Sequence, residues 1–241
     1  MPRTERHLPH PALGDPCLGC AARLLSVCGA LADDDMPALA RLVEPLHLQP
    51  RGTVIAEGEP ADHLFNVTAG TVKLYKLLPD GRRQITGFLG PGDMLGLAAG
   101  TGYAYSAEAV TEAALCRFPR LRLEALLDEQ PAMRRRLFAM ARDELAAAQE
   151  QMLLLGRKTA REKTASFLLG LAERAARRGG PADAVEVAMS RADIADYLGL
   201  TTETVSRTLT AMKAAGLIRL LAGGRIVLAD RAALAGLAQA G

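Results

Sequence analysis

Alternation of apolar and polar positions, broken by glycine, dominates residues 30 to about 120. Strand-like runs lie at Thr53–Ala56, Leu64–Thr68, Thr71–Leu77, Arg83–Leu89 and Ala114–Phe118. Gly58, Gly70, Asp80-Gly81 and Gly90-Pro91-Gly92 separate them. Asp-Gly between two alternating runs is a hairpin signal, because the tight turn needs residues that tolerate positive φ. Short strands punctuated in this way predict a barrel or jelly roll.

The period changes at about Leu121. Pro131 sits where the first turn of a helix tolerates proline. Ala141, Leu145, Ala148, Met152 and Leu155 then recur at spacings of 4, 3, 4 and 3, a heptad seam. A helix from Pro131 to Gly156 would run about 39 Å at ~1.5 Å per residue. Such a rod can pack on its own β domain or pair with a second copy. The narrow seam, flanked by Arg, Asp, Glu and Gln, favours two copies across a dimer axis.

Beyond Arg157 the chain reads as a separate unit. Thr164–Arg178 predicts a helix, ended by Gly179-Gly180-Pro181. Ser190 can cap a helix over Arg191–Leu198. Gly199 supplies a tight turn, and Thr201 or Thr202 caps a second helix from Glu203 to Ala215. Ile194, Ala195 and Leu198 form one buried face, and Val205, Leu209 and Met212 the other. This is a helix-turn-helix, whose second helix enters the DNA major groove. Leu217 to Leu228 reads as two short strands around Gly223-Gly224, a wing. Glu203, Ser206 and Arg207 share a face and suit base edges: cytosine amino, adenine or thymine, and guanine respectively. Arg191, Thr201, Thr202, Arg219 and Arg225 are candidates for backbone phosphate.

Charge sharpens this division. The 241 residues carry a formal charge of only +2, yet residues 157–241 hold 13 Lys and Arg against 8 Asp and Glu. The basic end implies an anionic partner, double-stranded DNA. No apolar stretch approaches the roughly 20 residues of a membrane span. Met1–Leu13 holds three prolines and no apolar core, so no secretory signal and a cytoplasmic location are expected. His7, His10, His47 and His63 show no ligand or triad spacing and there is no phosphate-cradling loop, so no enzyme is expected. The four segments are 1–29 (cysteine-rich), 30–120 (β sensor), 121–156 (dimerisation helix) and 157–241 (DNA-binding).

Cys17, Cys20 and Cys28 are spaced Cys-x2-Cys-x7-Cys, and Cys116 is remote. In a reducing cytosol structural disulfides are not expected. Four thiolates can complete a tetrahedral zinc site or hold a [4Fe-4S] cluster, and the spacing does not choose between them. Four unrelated thiols are the third reading.

Gly58-Glu59-Pro60-Ala61-Asp62-His63-Leu64-Phe65-Asn66-Val67-Thr68-Ala69-Gly70, Gly92-Asp93-Met94-Leu95-Gly96-Leu97 and Glu203-x-x-Ser206-Arg207 together resemble the catabolite activator/FNR superfamily. The resemblance covers nearly the whole chain after residue 15, and the cysteine spacing is similar to the FnrL/FnrN type of the FNR branch. It implies an α+β fold: an N-terminal β-roll (a jelly-roll-like double-stranded β-helix), a dimerisation helix and a C-terminal winged helix-turn-helix. It further implies a homodimer reading a palindrome of the type TTGAT-N4-ATCAA, and a [4Fe-4S] cluster on Cys17, Cys20, Cys28 and Cys116. Oxygen would be the signal, converting the cluster to [2Fe-2S] and dissociating the dimer. Asp80, Gly81 and Arg82 would form an exposed hairpin able to touch RNA polymerase. Cyclic-nucleotide members hold phosphate with a Glu and an Arg. The matching positions here are Leu97 and Tyr105, so no cyclic nucleotide is expected. FNR proteins also carry an acid in the helix seam, where Ala148 stands here, with Glu144 and Glu150 nearby.

Overall fold

A computed structural model describes residues 17, 19–97 and 100–239. Met1–Leu13, with His7 and His10, lies outside the described residues. Three 3-10 turns (Arg23–Leu25, Val27–Ala30, Asp33–Asp35) and a short helix α1 (Met36–Ala40) lead into the β domain. Its strands among the described residues are β1 (Glu44–Leu48), β2 (Thr53–Ile55), β3 (His63–Ala69), β4 (Val72–Leu77), β5 (Arg83–Leu89), β6 (Met94–Leu95), β7 (Ser106–Ala109) and β8 (Ala113–Pro119). They form two antiparallel sheets, ordered β1-β8-β3-β6 and β2-β7-β4-β5. Ile55, Phe65, Val67, Val72, Leu74, Leu95 and Leu115 fill the space between them. The jelly-roll-like expectation is met, and all five expected strands are present. β1, β6 and β7, too short or too irregular to show as alternating runs, complete the sheets. Gly70 turns β3 into β4 at φ +80°, and a Cβ there would stand 2.2 Å from the Glu112 carbonyl oxygen. Only glycine fits both the angle and the space.

Helix α2 (Arg120–Glu129) ends at Gln130, and Pro131 opens α3 (Pro131–Arg157), the expected rod. Residues 121–156 are therefore two helices. The next helix, α4 (Ala160–Arg177), begins four residues before the expected Thr164. Its cause is a capping box: Thr159 N–H donates to the Glu162 carboxylate at 2.9 Å and Glu162 N–H donates back to Thr159 Oγ1 at 3.4 Å. Strand β9 (Ala184–Glu186), α5 (Arg191–Leu198), α6 (Thr202–Ala214), β10 (Ile218–Leu220), β11 (Arg225–Leu228) and α7 (Arg231–Gln239) complete the chain. The wing is a three-stranded sheet ordered β10-β11-β9.

The two domains meet through a buried ionic network. Lys73 Nζ of β4 lies 2.9 Å from the Glu108 carboxylate and 3.0 Å from Asp193 of α5. Arg83 of β5 reaches Asp193 at 3.0 Å and Asp196 at 2.8 Å. The Gln84 amide donates to the Asp196 carbonyl at 2.7 Å, and Gln151 of α3 donates to the Tyr197 carbonyl at 2.8 Å. The Tyr197 ring packs on Phe88 and Phe167. The first helix of the DNA-binding unit is thus held by the sensor sheet, α3 and α4 together.

Removing one member of a buried pair leaves the other charge uncompensated. Lys73→Met is expected to lower stability by about 3 kcal/mol, read from the urea unfolding midpoint. Burial pushes the Asp193 carboxyl up, but hydrogen bonds from Ser190 and Lys73 outweigh it and hold the group below its ordinary value. A depressed carboxyl stabilises above its unfolded pKa and loses that contribution as pH falls through the folded value. The gap between wild type and Lys73→Met should therefore close in acid, and a gap constant down to pH 2 would contradict the assignment.

Candidate nucleic-acid interface and cysteine centre

Local chemistry fixes the DNA-reading unit. Ser190 accepts the Asp193 N–H at 3.0 Å, and the Asp193 carboxylate accepts the Ser190 N–H at 3.2 Å. Gly199 closes α5 in the left-handed conformation at φ +61°. Thr201 caps α6 through the Thr204 N–H at 3.1 Å. Val205, Leu209 and Met212 are buried, which turns the opposite face of α6 to solvent. Glu203, Ser206 and Arg207 are exposed on that face, with Glu203 and Arg207 3.6 Å apart. Thr201, Thr202, Arg219 and Arg225 are exposed as well, and Arg191 is half-buried. Gly223 and Gly224 carry φ +72° and +77°, placing Arg225 at the start of β11 beside the wing tip. The exposed face of α6 and the exposed arginines of β10 and β11 are the candidate surface for DNA.

The cysteines converge from two ends of the β domain. Cys116 lies in β8 on the face of its sheet that turns away from the sandwich interior. Cys17, Cys28 and Cys116 share an apolar cluster with Val27, Leu64, Phe118 and Met133. Burial, and then the negative potential of Cys28, Cys17 and Cys20, pushes the Cys116 thiol up to about 12. Burial is also the largest influence raising Cys28, with Cys20 adding to it. Cys17, Cys28 and Cys116 thus share one apolar cluster, and Cys20 stands near enough to raise both Cys28 and Cys116. Thiolates are the metal-binding form, so a cation must displace their protons. Among the described residues no group of three or more His, Cys, Asp or Glu is arranged to hold a metal ion. One tetrahedral zinc would need sulfurs about 3.8 Å apart, from bonds of ~2.3 Å. Two buried polar atoms, Arg23 Nε and Asn66 Oδ1, have no hydrogen-bond partner among the described residues. The all-sulfur donor chemistry and the unpaired Arg23 donor fit an iron-sulfur centre between the N-terminal turns and β8.

The expected seam positions along α3 differ in exposure. Phe138, Leu145 and Met152 are 72%, 59% and 65% exposed, and Ala141 and Ala148 are exposed beside them. Leu155 does not join them. It is half-buried against the core of the DNA-binding unit, with Cδ2 3.2 Å from where a Gly199 Cβ would stand. Phe138, seven residues before Leu145 and fourteen before Met152, extends the exposed apolar stripe at the other end at a spacing readable in the sequence. Asp80, Gly81 and Arg82 form the exposed β4–β5 turn, where Asp80 accepts the Arg82 N–H at 3.0 Å and Nε at 2.7 Å. These bonds, the backbone one first, hold the Asp80 carboxyl below its ordinary range.

Tyr105 accepts the Gly96 N–H at 2.7 Å, and Arg120 donates to the Ala61 and Gly96 carbonyls at 2.5 and 2.6 Å.

Comparison with known proteins places these features in a family. Residues 45–130 match the model described as Cyclic nucleotide-binding domain, and residues 162–237 the Crp-like helix-turn-helix domain. The chain is 44% identical over 209 residues to Transcriptional activatory protein AadR of Rhodopseudomonas palustris, covering 87% of each. The chain belongs to the Crp/Fnr family of transcription regulators. Transcriptional activator protein FnrL of Cereibacter sphaeroides is 37% identical over 93% of this chain and 92% of its own length. The structure of FixK2 from Bradyrhizobium japonicum superposes with a TM-score of 0.75 at 39% identity, covering 81% of this chain and 96% of that one. The Crp/Fnr assignment makes the chain a DNA-binding regulator built from a cyclic-nucleotide-type sensor fold and a helix-turn-helix. Its relatives are transcription regulators and not enzymes. No described helix is long and apolar enough to cross a membrane.

Two substitutions separate base reading from phosphate contact. Arg207→Ala should cost ~1–3 kcal/mol at one guanine and relax preference there. Arg225→Ala should weaken binding evenly across sequences and flatten the salt dependence. Competition binding with operator variants at several salt concentrations distinguishes them, and full sequence preference in Arg207→Ala would refute the contact.

Proposed function

We propose that this Crp/Fnr regulator responds to oxygen through a [4Fe-4S] cluster on Cys17, Cys20, Cys28 and Cys116, and that the cluster-bearing homodimer binds a TTGAT-N4-ATCAA-like palindrome. The observation that supports the reading is that Cys17 and Cys28 share one apolar cluster with Cys116, which is 88 or more residues away in the chain. When bound, the cluster supplies an oxygen-labile cross-link. The chain's own residues do the rest.

The cysteine segment touches the helix that would form the dimer. Met133 of α3 is buried in the cysteine-containing apolar cluster, and Leu137 and Met140 pack against it. Arg136 donates to the Leu25 carbonyl at 3.1 Å. Leu25 rests on the β5–β6 turn, where a Cβ on Gly92 would stand 2.5 Å from its own. Four sulfurs tied together would fix this segment and, through it, the first turns of α3. The exposed Phe138 lies among these contacts, and Leu145 and Met152 follow beyond the last of them, Met140. Loosening the segment would free the start of the seam, and a palindrome is held through two linked half-sites.

Tyr105 and Arg120, bonded within their own turn, argue against a cyclic nucleotide as effector. The β4–β5 turn at Asp80–Arg82 is proposed as a contact for RNA polymerase on grounds of exposure and charge. A zinc-stabilised or metal-free regulator of the same fold is the alternative.

Anaerobically purified protein should contain iron and acid-labile sulfide, and air should lower operator affinity by on the order of 100-fold as bivalent binding is lost. Cys20→Ser combined with Cys116→Ser should bind operator equally with and without air. Zinc without sulfide, or oxygen-dependent binding in the double variant, would refute the reading. Because the seam carries Ala148 and no acid, Ala148→Asp should shift the cluster-free protein toward monomer by sedimentation velocity. An unchanged profile would remove Ala148 from the interface.

A further inference from the structure

On the outer face of the β1-β8-β3-β6 sheet the surroundings of Cys116 in β3, β8 and β6 are apolar with one exception, while His47 and Thr68 stand further along the same face. Leu64 and Phe118 face each other across β3 and β8, and Met94 of β6 stands beside them; all three belong to the cluster that covers the cysteines. Asn66 stands among them. It is directly opposite Cys116 in β8 and opposite Met94 in β6. Residues directly opposite in an antiparallel pair project to the same face with Cβ atoms ~5 Å apart, within reach of a hydrogen bond between their side chains. Asn66 is 2% exposed, and its Oδ1 has no hydrogen-bond partner among the described residues.

An amide buried without a partner is unfavourable, and a leucine in its place would suit the apolar surroundings. Among the described residues no donor reaches this oxygen. Rotating the amide by half a turn exchanges oxygen for NH2 without changing its shape. The orphan acceptor then becomes a donor aimed at the neighbouring strand.

We propose that Asn66 is a positioning residue for the cysteine centre: its amide donates a hydrogen bond to the Cys116 sulfur once that sulfur is ligated, and so slows attack by oxygen. The inference rests on the cluster reading above. Hydrogen bonds to ligand sulfur withdraw electron density and raise the reduction potential. Removing the donor makes the centre easier to oxidise.

The test uses full-length wild type, Asn66→Leu and Asn66→Ser, each purified without oxygen. Iron and sulfide are measured first. The rate at which the visible absorption bleaches in air-saturated buffer and the reduction potential are measured next, and the melting temperature of each cluster-free form last. Asn66→Leu should bleach on the order of 10-fold faster, as expected for loss of one hydrogen bond to a charged acceptor, and at a lower potential. Asn66→Ser, whose hydroxyl can still donate, should fall between. Cluster-free Asn66→Leu should melt no lower than cluster-free wild type. If Asn66→Leu retains no iron yet melts normally, the amide holds the ligand, which supports the proposal. Loaded wild type and Asn66→Leu bleaching at equal rates would overturn the inference and leave the cluster reading intact. A lower melting temperature of cluster-free Asn66→Leu would also overturn it, by assigning the amide to the fold. Wild type without iron and sulfide would overturn both.

Discussion

The architecture turns on one buried carboxylate. Asp193 completes the capping box of α5 and also receives Lys73 and Arg83 from the sensor sheet. Two structural scales meet in that side chain. Its local bonds start the first helix of the DNA-binding unit, and its long-range bonds fix where that helix sits. Burying these charges costs desolvation that apolar residues of the same volume would avoid. What the ionic arrangement gives instead is direction: Lys73 and Arg83 accept one placement of α5, whereas an apolar contact would accept several.

Two further contacts make the junction three-sided. Gln84 from the sensor and Gln151 from α3 both donate to carbonyls at the C-terminal end of α5, satisfying groups that a helix end leaves open. Leu155 packs beside Gly199, the turn between α5 and α6. The reading helix α6 follows that turn by two residues. Its orientation is therefore set by sensor sheet and dimer rod together, which is what a regulator needs if a change at one end is to be felt at the DNA. Loss of Leu155 from the exposed seam is part of this arrangement, because a side chain committed to the α5–α6 turn is unavailable to a partner copy.

Legibility in the sequence follows the range of the interactions. The α5–Gly199–α6 unit was readable to within a residue, because Ser190, Gly199 and Thr201 act on neighbours three positions away or fewer. The β4–β5 hairpin was readable from Asp80-Gly81 for the same reason. The early start of α4 was missed although Thr159 and Glu162 spell a capping box, since the apolar period begins only later. β6 and β9 have two and three residues and present no period at all. Lys73–Asp193 joins positions 120 apart, and nothing local marks Lys73 as buried. Cys17, Cys20 and Cys28 announced themselves by spacing. Cys116 joined them only through a family resemblance, and Asn66 carried no signal until the β3–β8 register placed it opposite Cys116.

The seam of α3 presents Phe138, Leu145 and Met152 on a helix whose residues 141 to 150 are exposed on every face. Exposed apolar side chains at heptad spacing favour association whenever two such helices meet. Ala148 places no charge in that stripe to oppose it. Control of association must then come from the geometry of the rod and not from repulsion within it. Among the described residues the rod is gripped at its first turns, at Met133, Arg136 and Leu137, by helix α2, the β8 strand and the cysteine segment together. A seam without an electrostatic brake and a clamp at its origin are complementary features: the less the helix opposes pairing by itself, the more the outcome depends on what holds its start.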